Sequence, residues 1–176
     1  MKGEISLKLV EAADADELFP LIYNSSITDT ILWDGPTSLE ELRAGLAERE
    51  QQVKAGKKHQ FTIVESSTGK KIGSIDIRPY EEAYRGDMGL WIGQPFQGKG
   101  YGTEAVRKVV EFGFAKLRME KIEAKIFVGN LGSRRAFEKN GFVLEGTIRK
   151  CEKKRGRFID EWLLGLTRED FDKVRK

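Results

Sequence analysis

Hydrophobic and polar residues alternate in several short runs of this chain. The alternation over residues 5–10 places Ile5, Leu7 and Leu9 on one face, which predicts a half-buried first strand. Ser67 to Gly69 predict a hairpin turn after the second strand. Further strands are predicted at residues 60–65, 71–78, 87–93, 122–128, 142–152 and 157–166.

Between these runs, apolar residues recur at helical spacing, which predicts helices. Asp14, with Glu17 three residues later, is typical of a capping box and predicts a first helix, which Pro20 is expected to kink or break. Ser38 with Glu41 predicts a second cap, after a loop over residues 26–37. The remaining predicted helices cover residues 38–55, 103–117 and 131–139.

The predicted order of elements is β-α-α-β-β-β-α-β-α-β-β. This order favours an α+β (mixed α/β) fold with one central, mostly antiparallel sheet flanked by helices. No linker rich in proline, glycine or serine divides the sequence, and a chain of 176 residues suits one compact unit. We therefore expect a single domain over residues 1–176.

Composition and charge narrow the classes of function. A net charge of +3, with basic residues interleaved among acidic ones, argues against nucleic acid as a partner. The single cysteine, Cys151, excludes an internal disulfide, and without a histidine partner we interpret it as unreactive. No apolar run approaches the roughly 18 residues of a membrane span, so we expect a cytoplasmic protein with no membrane partner. No spacing of metal ligands is evident, and we expect no metal.

Residues 97–103, Gln-Gly-Lys-Gly-Tyr-Gly-Thr, follow a predicted strand and open a predicted helix. The first turn of a helix has unpaired N–H groups and a partial positive charge, which together bind anions. The three glycines lack the Cβ atoms that would hold an anion away from those groups. Lys99 adds a positive charge, Gln97 a donor and Thr103 a hydroxyl group. The loop thus predicts a phosphate site, with a flexible glycine turn as the alternative.

Two other phosphate-binding loops do not match. A P-loop requires serine or threonine directly after its lysine, and here Gly100 follows Lys99. A dinucleotide-binding loop requires the spacing Gly-x-Gly-x-x-Gly, whereas this loop has Gly-x-Gly-x-Gly.

The spacing Gln97-x-x-Gly100-x-Gly102 resembles the Q/R-x-x-G-x-G/A motif of the GNAT family of N-acetyltransferases. A second motif lies downstream, with Asn130-x-x-Ser133 followed by Phe137-Glu138-Lys139-Asn140-Gly141-Phe142 and Glu145-Gly146. Its residue pattern is most similar to that of the branch containing the ribosomal-protein N-terminal acetyltransferases of the RimJ/RimL type. The resemblance covers roughly residues 5–167.

The resemblance implies acetyl-CoA as the cofactor and a site built from both motifs. The strand carrying Ile92 is expected to splay away from the strand carrying Phe127, and the thioester is expected between them. A backbone N–H near Trp91 or Ile92 would hold the oxyanion, and Asn130 would bind the pantetheine arm. The expected cofactor-binding residues are Trp91, Ile92, Gln97, Gly98, Lys99, Gly100, Tyr101, Gly102, Thr103, Asn130, Ser133 and Phe137.

The expected reaction is direct attack of an amine on the thioester, which requires a base and then a proton for the leaving thiolate. Many relatives supply that proton from a tyrosine at the position that Phe137 occupies here. The branch resemblance implies Ser133 as the acid and Glu152 as the base, with Glu161 as the second choice. The alternatives are a hydroxyl that caps a helix for Ser133 and a solvated carboxylate for Glu152.

The acceptor stays open at this point. A protein N-terminal α-amine fits the branch resemblance and predicts an open groove lined by Trp33 and the last hairpin. The second hypothesis for the acceptor is a small amine, such as a polyamine or an aminoglycoside. A polyamine acceptor predicts a deep pocket rich in carboxylates. A non-catalytic acyl-CoA-binding module is the third reading. Members of the branch often dimerise, so both a homodimer and a monomer are possible outcomes. Tyr84 is a second candidate for lining the acceptor pocket, with packing as the alternative, and His59 is interpreted as a surface residue.

Overall fold

The computed structural model describes residues 3–174, and the order of elements within that range agrees with the predicted one, with one helix added at the end. The strands are β1 Ile5–Leu9, β2 His59–Glu65, β3 Lys71–Glu81, β4 Arg85–Ile92, β5 Lys121–Phe127, β6 Val143–Lys154 and β7 Arg157–Thr167. The α-helices are α1 Ala15–Ile22, α2 Leu39–Lys54, α3 Tyr101–Ala115, α4 Leu131–Glu138 and α5 Arg168–Val174. None of the described helices is long and apolar enough to cross a membrane.

The seven strands form one sheet in the order β1-β2-β3-β4-β5-β7-β6. All neighbours are antiparallel except β4 and β5, which are parallel. This parallel pair is short, because only Arg85–Asp87 of β4 pairs with Lys121–Glu123 of β5. Beyond these residues the two strands diverge toward their carboxyl ends. The expected α+β fold with a splayed strand pair is therefore confirmed.

Apolar residues pack on both sides of this sheet. One core lies between the sheet and α3, where Val106 and Val109 pack with Ile75 and Ile122. A second, smaller core joins α1 and α2, and Trp91 of β4 packs against it. Burial of these side chains is the main stabilising contribution to the fold. The two cores hold the diverging ends of β4 and β5 between them.

The start of the first helix differs from the sequence prediction. Asp14 does precede α1, but its side chain does not cap that helix. The carboxylate is buried and accepts the Glu11 N–H at 3.0 Å and the Lys8 ammonium at 2.9 Å. Glu17 accepts the Lys71 N–H at 3.1 Å, so the expected capping box does not form. The Ser38 cap is confirmed, since its hydroxyl accepts the Glu41 N–H at 3.1 Å.

Pro20 does not break the first helix. The helix runs from Ala15 to Ile22, and the Tyr23 N–H still donates to the Phe19 carbonyl at 2.9 Å. A proline removes one helical hydrogen bond, and buried Leu18 and Ile22 keep the helix against the core despite this loss.

The terminal helix α5 was not predicted from the sequence. The Thr167 hydroxyl accepts the Asp170 N–H at 3.2 Å and caps the start of the helix. The Arg168 guanidinium donates to the carbonyls of Met119 and Phe114, at 2.5 and 3.2 Å. The local signal was present as Thr-x-x-Asp, a variant of the capping box.

Candidate active site

The glycine loop joins the end of β4 to the start of α3. Gly100 occupies the N-cap position in the left-handed conformation, with φ of +86°, and no described side chain caps the helix. Gly98 also has a positive φ, of +75°. A Cβ atom added at either glycine would meet no atom within 4 Å, so the loop leaves open space in front of the helix. These are the features of an anion site built from backbone N–H groups.

Two side chains of the loop hold its shape. The Gln97 side-chain amide donates to the Ile92 carbonyl at 2.9 Å and ties the loop to the end of β4. The Tyr101 hydroxyl donates to the Glu65 carboxylate, and this hydrogen bond raises the pKa of Tyr101. The Lys99 ammonium lies 5.5 Å from the centre of the Phe96 ring. Gln97 and Tyr101 thus position the loop through their side chains.

A cleft of about 500 Å³, which we call the loop cleft, lies between this loop and α4. Lys99 does not line it, and neither does Phe137, which is only 1% exposed and packs edge-on against Phe142. Sequence reasoning missed two cationic residues on its wall, Arg135 of α4 and Lys139 directly after that helix. The expected cofactor-binding residues that do line it are Trp91, Ile92, Gln97, Gly98, Gly100, Tyr101, Gly102, Thr103, Asn130 and Ser133.

A second cleft of about 720 Å³, which we call the hairpin cleft, lies between α2, the 26–37 loop and the β6–β7 hairpin. Trp33 lines it from the loop, and Glu152 and Glu161 line it from the hairpin. The two clefts meet where β4 leaves β5. The residues common to both walls are Thr30, Ile31, Leu90, Trp91, Asn130 and Ser133.

Ser133 lies at this meeting point with a free hydroxyl group. Its backbone N–H donates to the Asn130 side chain at 3.1 Å, so Asn130 is the residue that caps α4. The cap of α4 thus uses the Asn130 side chain and the backbone N–H of Ser133, not the Ser133 hydroxyl. Asn130 uses its side-chain oxygen in the cap and retains its amide N–H groups.

A bulge in β6 brings one thiol and two carboxylates together. Ile148 pairs with Glu161 of β7, but the next pair is Glu152 with Ile159, so three residues of β6 face one residue of β7. Lys150, inside the bulge, has a φ of +49°. The ligand atoms of Cys151, Glu152 and Glu161 all lie within 4.8 Å of one another as a result. Bulges re-aim side chains in this way near active sites.

The hydrogen bond to Glu161 raises the pKa of the Cys151 thiol to about 11, and burial contributes in the same direction. The thiol therefore keeps its proton at neutral pH, which agrees with the interpretation of Cys151 as unreactive.

The tip of the hairpin is fastened to the 26–37 loop. Lys154 is only 7% exposed, and its ammonium donates to the carbonyls of Leu32 and Trp33, at 3.1 and 3.3 Å, and to Asp34 at 2.8 Å. Arg155 adds an ion pair with Asp29 at 2.6 Å. We call these contacts the latch. They close one side of the hairpin cleft with segments from opposite ends of the chain.

Lys154→Met is expected to lower the free energy of unfolding by about 1–3 kcal/mol, because two carbonyls lose their buried donor. Methionine keeps the apolar stem of the side chain, so the loss reports on the ammonium. Lys153→Met, at the exposed neighbouring position, is the control and is expected to change stability by less than about 0.5 kcal/mol. Urea unfolding measures both. Equal losses in the two variants would show that the latch contributes nothing.

His59 and Tyr84 lie outside the meeting point of the two clefts. His59 packs beside Phe112, with ring centres 5.5 Å apart, and burial lowers its pKa. His59 also lines the hairpin cleft. Tyr84 is exposed and lines neither cleft.

Known proteins are similar to this chain in sequence and in fold. The family model described as "Acetyltransferase (GNAT) domain" matches residues 4–143. The chain belongs to the GNAT acetyltransferase family. The Bacillus subtilis protein "Probable N-acetyltransferase YjcK" is 32% identical over 97% of this chain and 98% of its own length. The Bacillus licheniformis "Uncharacterized N-acetyltransferase p20" is 27% identical over 95% and 94%. A crystal structure titled "Probable acetyltransferase" superposes with a TM-score of 0.84 at 25% identity, covering 94% and 93% of the two chains.

Membership of this GNAT family makes the protein an acetyl-CoA-dependent N-acetyltransferase. The loop cleft fits that cofactor, because the open space at Gly98 and Gly100 accommodates phosphate groups directly against the backbone.

Proposed function

We propose that this GNAT enzyme transfers the acetyl group to the N-terminal α-amine of a protein or peptide, in a ternary complex. The observation that carries this proposal is the meeting of the two clefts at Trp91 and Ser133, where β4 separates from β5. The acetyl donor occupies the loop cleft, and the amine enters through the hairpin cleft. Both reactants then reach the same point between the strands.

The loop cleft holds the donor through its backbone. The N–H groups of residues 98–103 receive the pyrophosphate, and the charges of Arg135 and Lys139 lie on the same wall. The Asn130 amide group donates to the pantetheine arm. Acetyl-CoA supplies an acetyl group that is activated as a thioester.

The proton steps are assigned to Glu152 and Ser133. As the amine nitrogen bonds to the acetyl carbon, Glu152 takes the proton of the amine, either directly or through a water molecule. A backbone N–H of Trp91 or Ile92 donates to the carbonyl oxygen as negative charge develops there. The carbon–sulfur bond then breaks, and the free hydroxyl of Ser133 donates a proton to the sulfur. Ser133 regains a proton from solvent, and Glu152 releases the proton that it took, so both residues return to their starting state. The products are the N-acetylated amine and CoA with a free thiol.

The walls of the hairpin cleft favour a peptide over a polyamine. Trp33 and the hairpin line the cleft together, as a peptide acceptor predicts. Two of its four carboxylates already share one cation, because Arg78 forms a two-point contact with Asp87, at 2.8 and 3.0 Å, and lies 3.4 Å from Asp76. Burial also raises the pKa of Asp76. Only two carboxylates of the cleft, those of Glu152 and Glu161, remain to bind a cationic substrate. Two carboxylates are too few to pair with the several ammonium groups of a polyamine.

The fold alone does not select the acceptor. One protein with this fold is described as a ribosomal L7/L12 α-N-protein acetyltransferase, with a TM-score of 0.81 at 19% identity. Another is a spermidine N-acetyltransferase, with a TM-score of 0.80 at 20% identity. The choice between such acceptors therefore depends on the side chains of the hairpin cleft.

A thiol-release screen tests the proposal. Purified protein with acetyl-CoA is offered short peptides with free N-termini, spermidine, an aminoglycoside, and the same peptides with blocked N-termini as controls. We expect release of free thiol with free peptides and none with blocked ones. Release with spermidine alone would support the small-amine alternative. Binding of acetyl-CoA without thiol release for any amine would support the non-catalytic alternative.

A further inference from the structure

Glu161 carries the most unusual polar atom among residues 3–174. The residue is only 5% exposed, and its Oε2 atom is buried without a hydrogen-bond partner. No other described side-chain nitrogen or oxygen is in this state. A buried carboxylate oxygen without a partner costs free energy, so proteins pair such atoms in nearly all cases. The exception calls for a ligand that supplies the missing donor.

The position of Glu161 shows where that ligand would be. Glu161 pairs with Phe127, the last residue of β5, so it lies beside the open end of the splayed strands. Both residues line the hairpin cleft. The Glu161 carboxylate also lies within 4.8 Å of Glu152 and Cys151. A group bound at Oε2 would therefore be next to the proposed base.

The charges around Glu161 favour a cation with N–H donors. The Cys151 sulfur lies within 4.8 Å of the Glu161 carboxylate, which raises the pKa of the thiol, so the thiol keeps its proton. Glu152 adds a second negative charge, and Lys125, a cation that acts on the Cys151 thiol, is exposed. An ammonium group has three donors and no acceptor, so it satisfies Oε2 and offsets one of the two negative charges.

We propose that Glu161 binds the protonated amino group of the acceptor through Oε2 and delivers it to Glu152. This inference rests on the proposed function and adds a binding step before proton removal. Glu161 holds the ammonium while Glu152 accepts its first proton and passes it to solvent. The neutral nitrogen then attacks, and Glu152 takes the second proton as the bond to the acetyl carbon forms. The substrate class that follows is a primary amine that is protonated at neutral pH, in preference to neutral amines or alcohols of the same shape.

Glu161→Gln tests this assignment, because it keeps the shape of the side chain and removes its charge. With the best amine from the thiol-release screen, we expect KM for the amine to rise about 10- to 100-fold, as for the loss of one charged hydrogen bond. We expect kcat to change much less, and the dissociation constant of acetyl-CoA to stay the same by isothermal titration. Glu169→Gln, an exposed residue of α5, is the matched control and should behave as wild type.

A second measurement does not depend on folding of the variant. The alcohol that replaces the amino group of the same acceptor is tested as an inhibitor of the wild-type enzyme. We expect it to bind about 10- to 100-fold more weakly than the amine. Equal affinity of alcohol and amine would overturn the proposal.

The remaining outcomes are equally decisive. A fall in kcat at unchanged KM in Glu161→Gln would make Glu161 a base and overturn the binding role. Loss of activity with EDTA, restored by zinc chloride, would show that the cluster takes a metal ion instead. Failure of the wild-type enzyme to release thiol with any amine would remove the proposed function and this inference together. Turnover with an unchanged KM in Glu161→Gln would remove this inference alone.

Discussion

Gly100→Trp is expected to weaken acetyl-CoA binding by at least about 100-fold, since two or more charged hydrogen bonds from the loop are lost. The apo protein has room for the new side chain, because a Cβ at this position meets no atom within 4 Å. The indole ring would therefore occupy the space in front of α3 rather than disturb the core. That space is the one in which the pyrophosphate is expected.

The control for this variant is Gly69→Trp in the β2–β3 turn. Gly69 has a φ of +73° and the same open space around its Cβ position, so both variants place tryptophan in the left-handed region at a similar cost of about 1–2 kcal/mol. Isothermal titration with acetyl-CoA separates the two positions. Retained binding in Gly100→Trp, or equal loss in Gly69→Trp, would contradict the assignment of the loop.

Glu152→Gln is expected to lower kcat by about 100-fold or more, the range in which a positioned general base contributes. Glutamine has the same size and cannot accept the proton of the amine. The affinity for acetyl-CoA should stay the same, because Glu152 lines the hairpin cleft and not the loop cleft. The acidic limb of the pH–rate profile should change as well, since that limb includes protonation of the base.

The matched control is Glu145→Gln, also on β6 but paired with Lys121 at 2.8 Å outside both clefts. Steady-state kinetics from pH 5 to 10 compare the variants with wild type. A pH–rate profile that is identical in Glu152→Gln and wild type would exclude Glu152 as the base, even if kcat were lower. Rescue by a higher pH alone would instead indicate that solvent removes the proton.

The sequence predicted those parts of the fold that depend on neighbouring residues. The Ser38 cap and the glycine loop are local features, and each has the expected form. The splayed strands were expected only through the family resemblance. Periodicity cannot reveal them, because the divergence of β4 and β5 depends on where a parallel ladder ends.

The features that sequence reasoning missed depend on contacts between distant segments. The sequence predicts Asp14 as a helix cap, but in the structure its carboxylate binds buried Thr62 and two lysines. The β6 bulge cannot be read from alternation, because it shows only when β7 lies alongside. The latch joins residues that are 120 or more positions apart. The closeness of Glu161, the second-choice base, to Glu152 depends on the β6 bulge and could not be predicted from neighbouring residues in the sequence.

The latch also limits how the terminal hairpin could be exchanged between proteins. The family model ends at residue 143, so the whole wall of the loop cleft lies inside the matched region, while Glu152, Lys154 and Glu161 lie beyond it. Replacing the hairpin with that of another family member would therefore leave every residue of the loop cleft unchanged. The new hairpin tip would also need partners in the 26–37 loop, where Asp34 and Asp29 pair with Lys154 and Arg155.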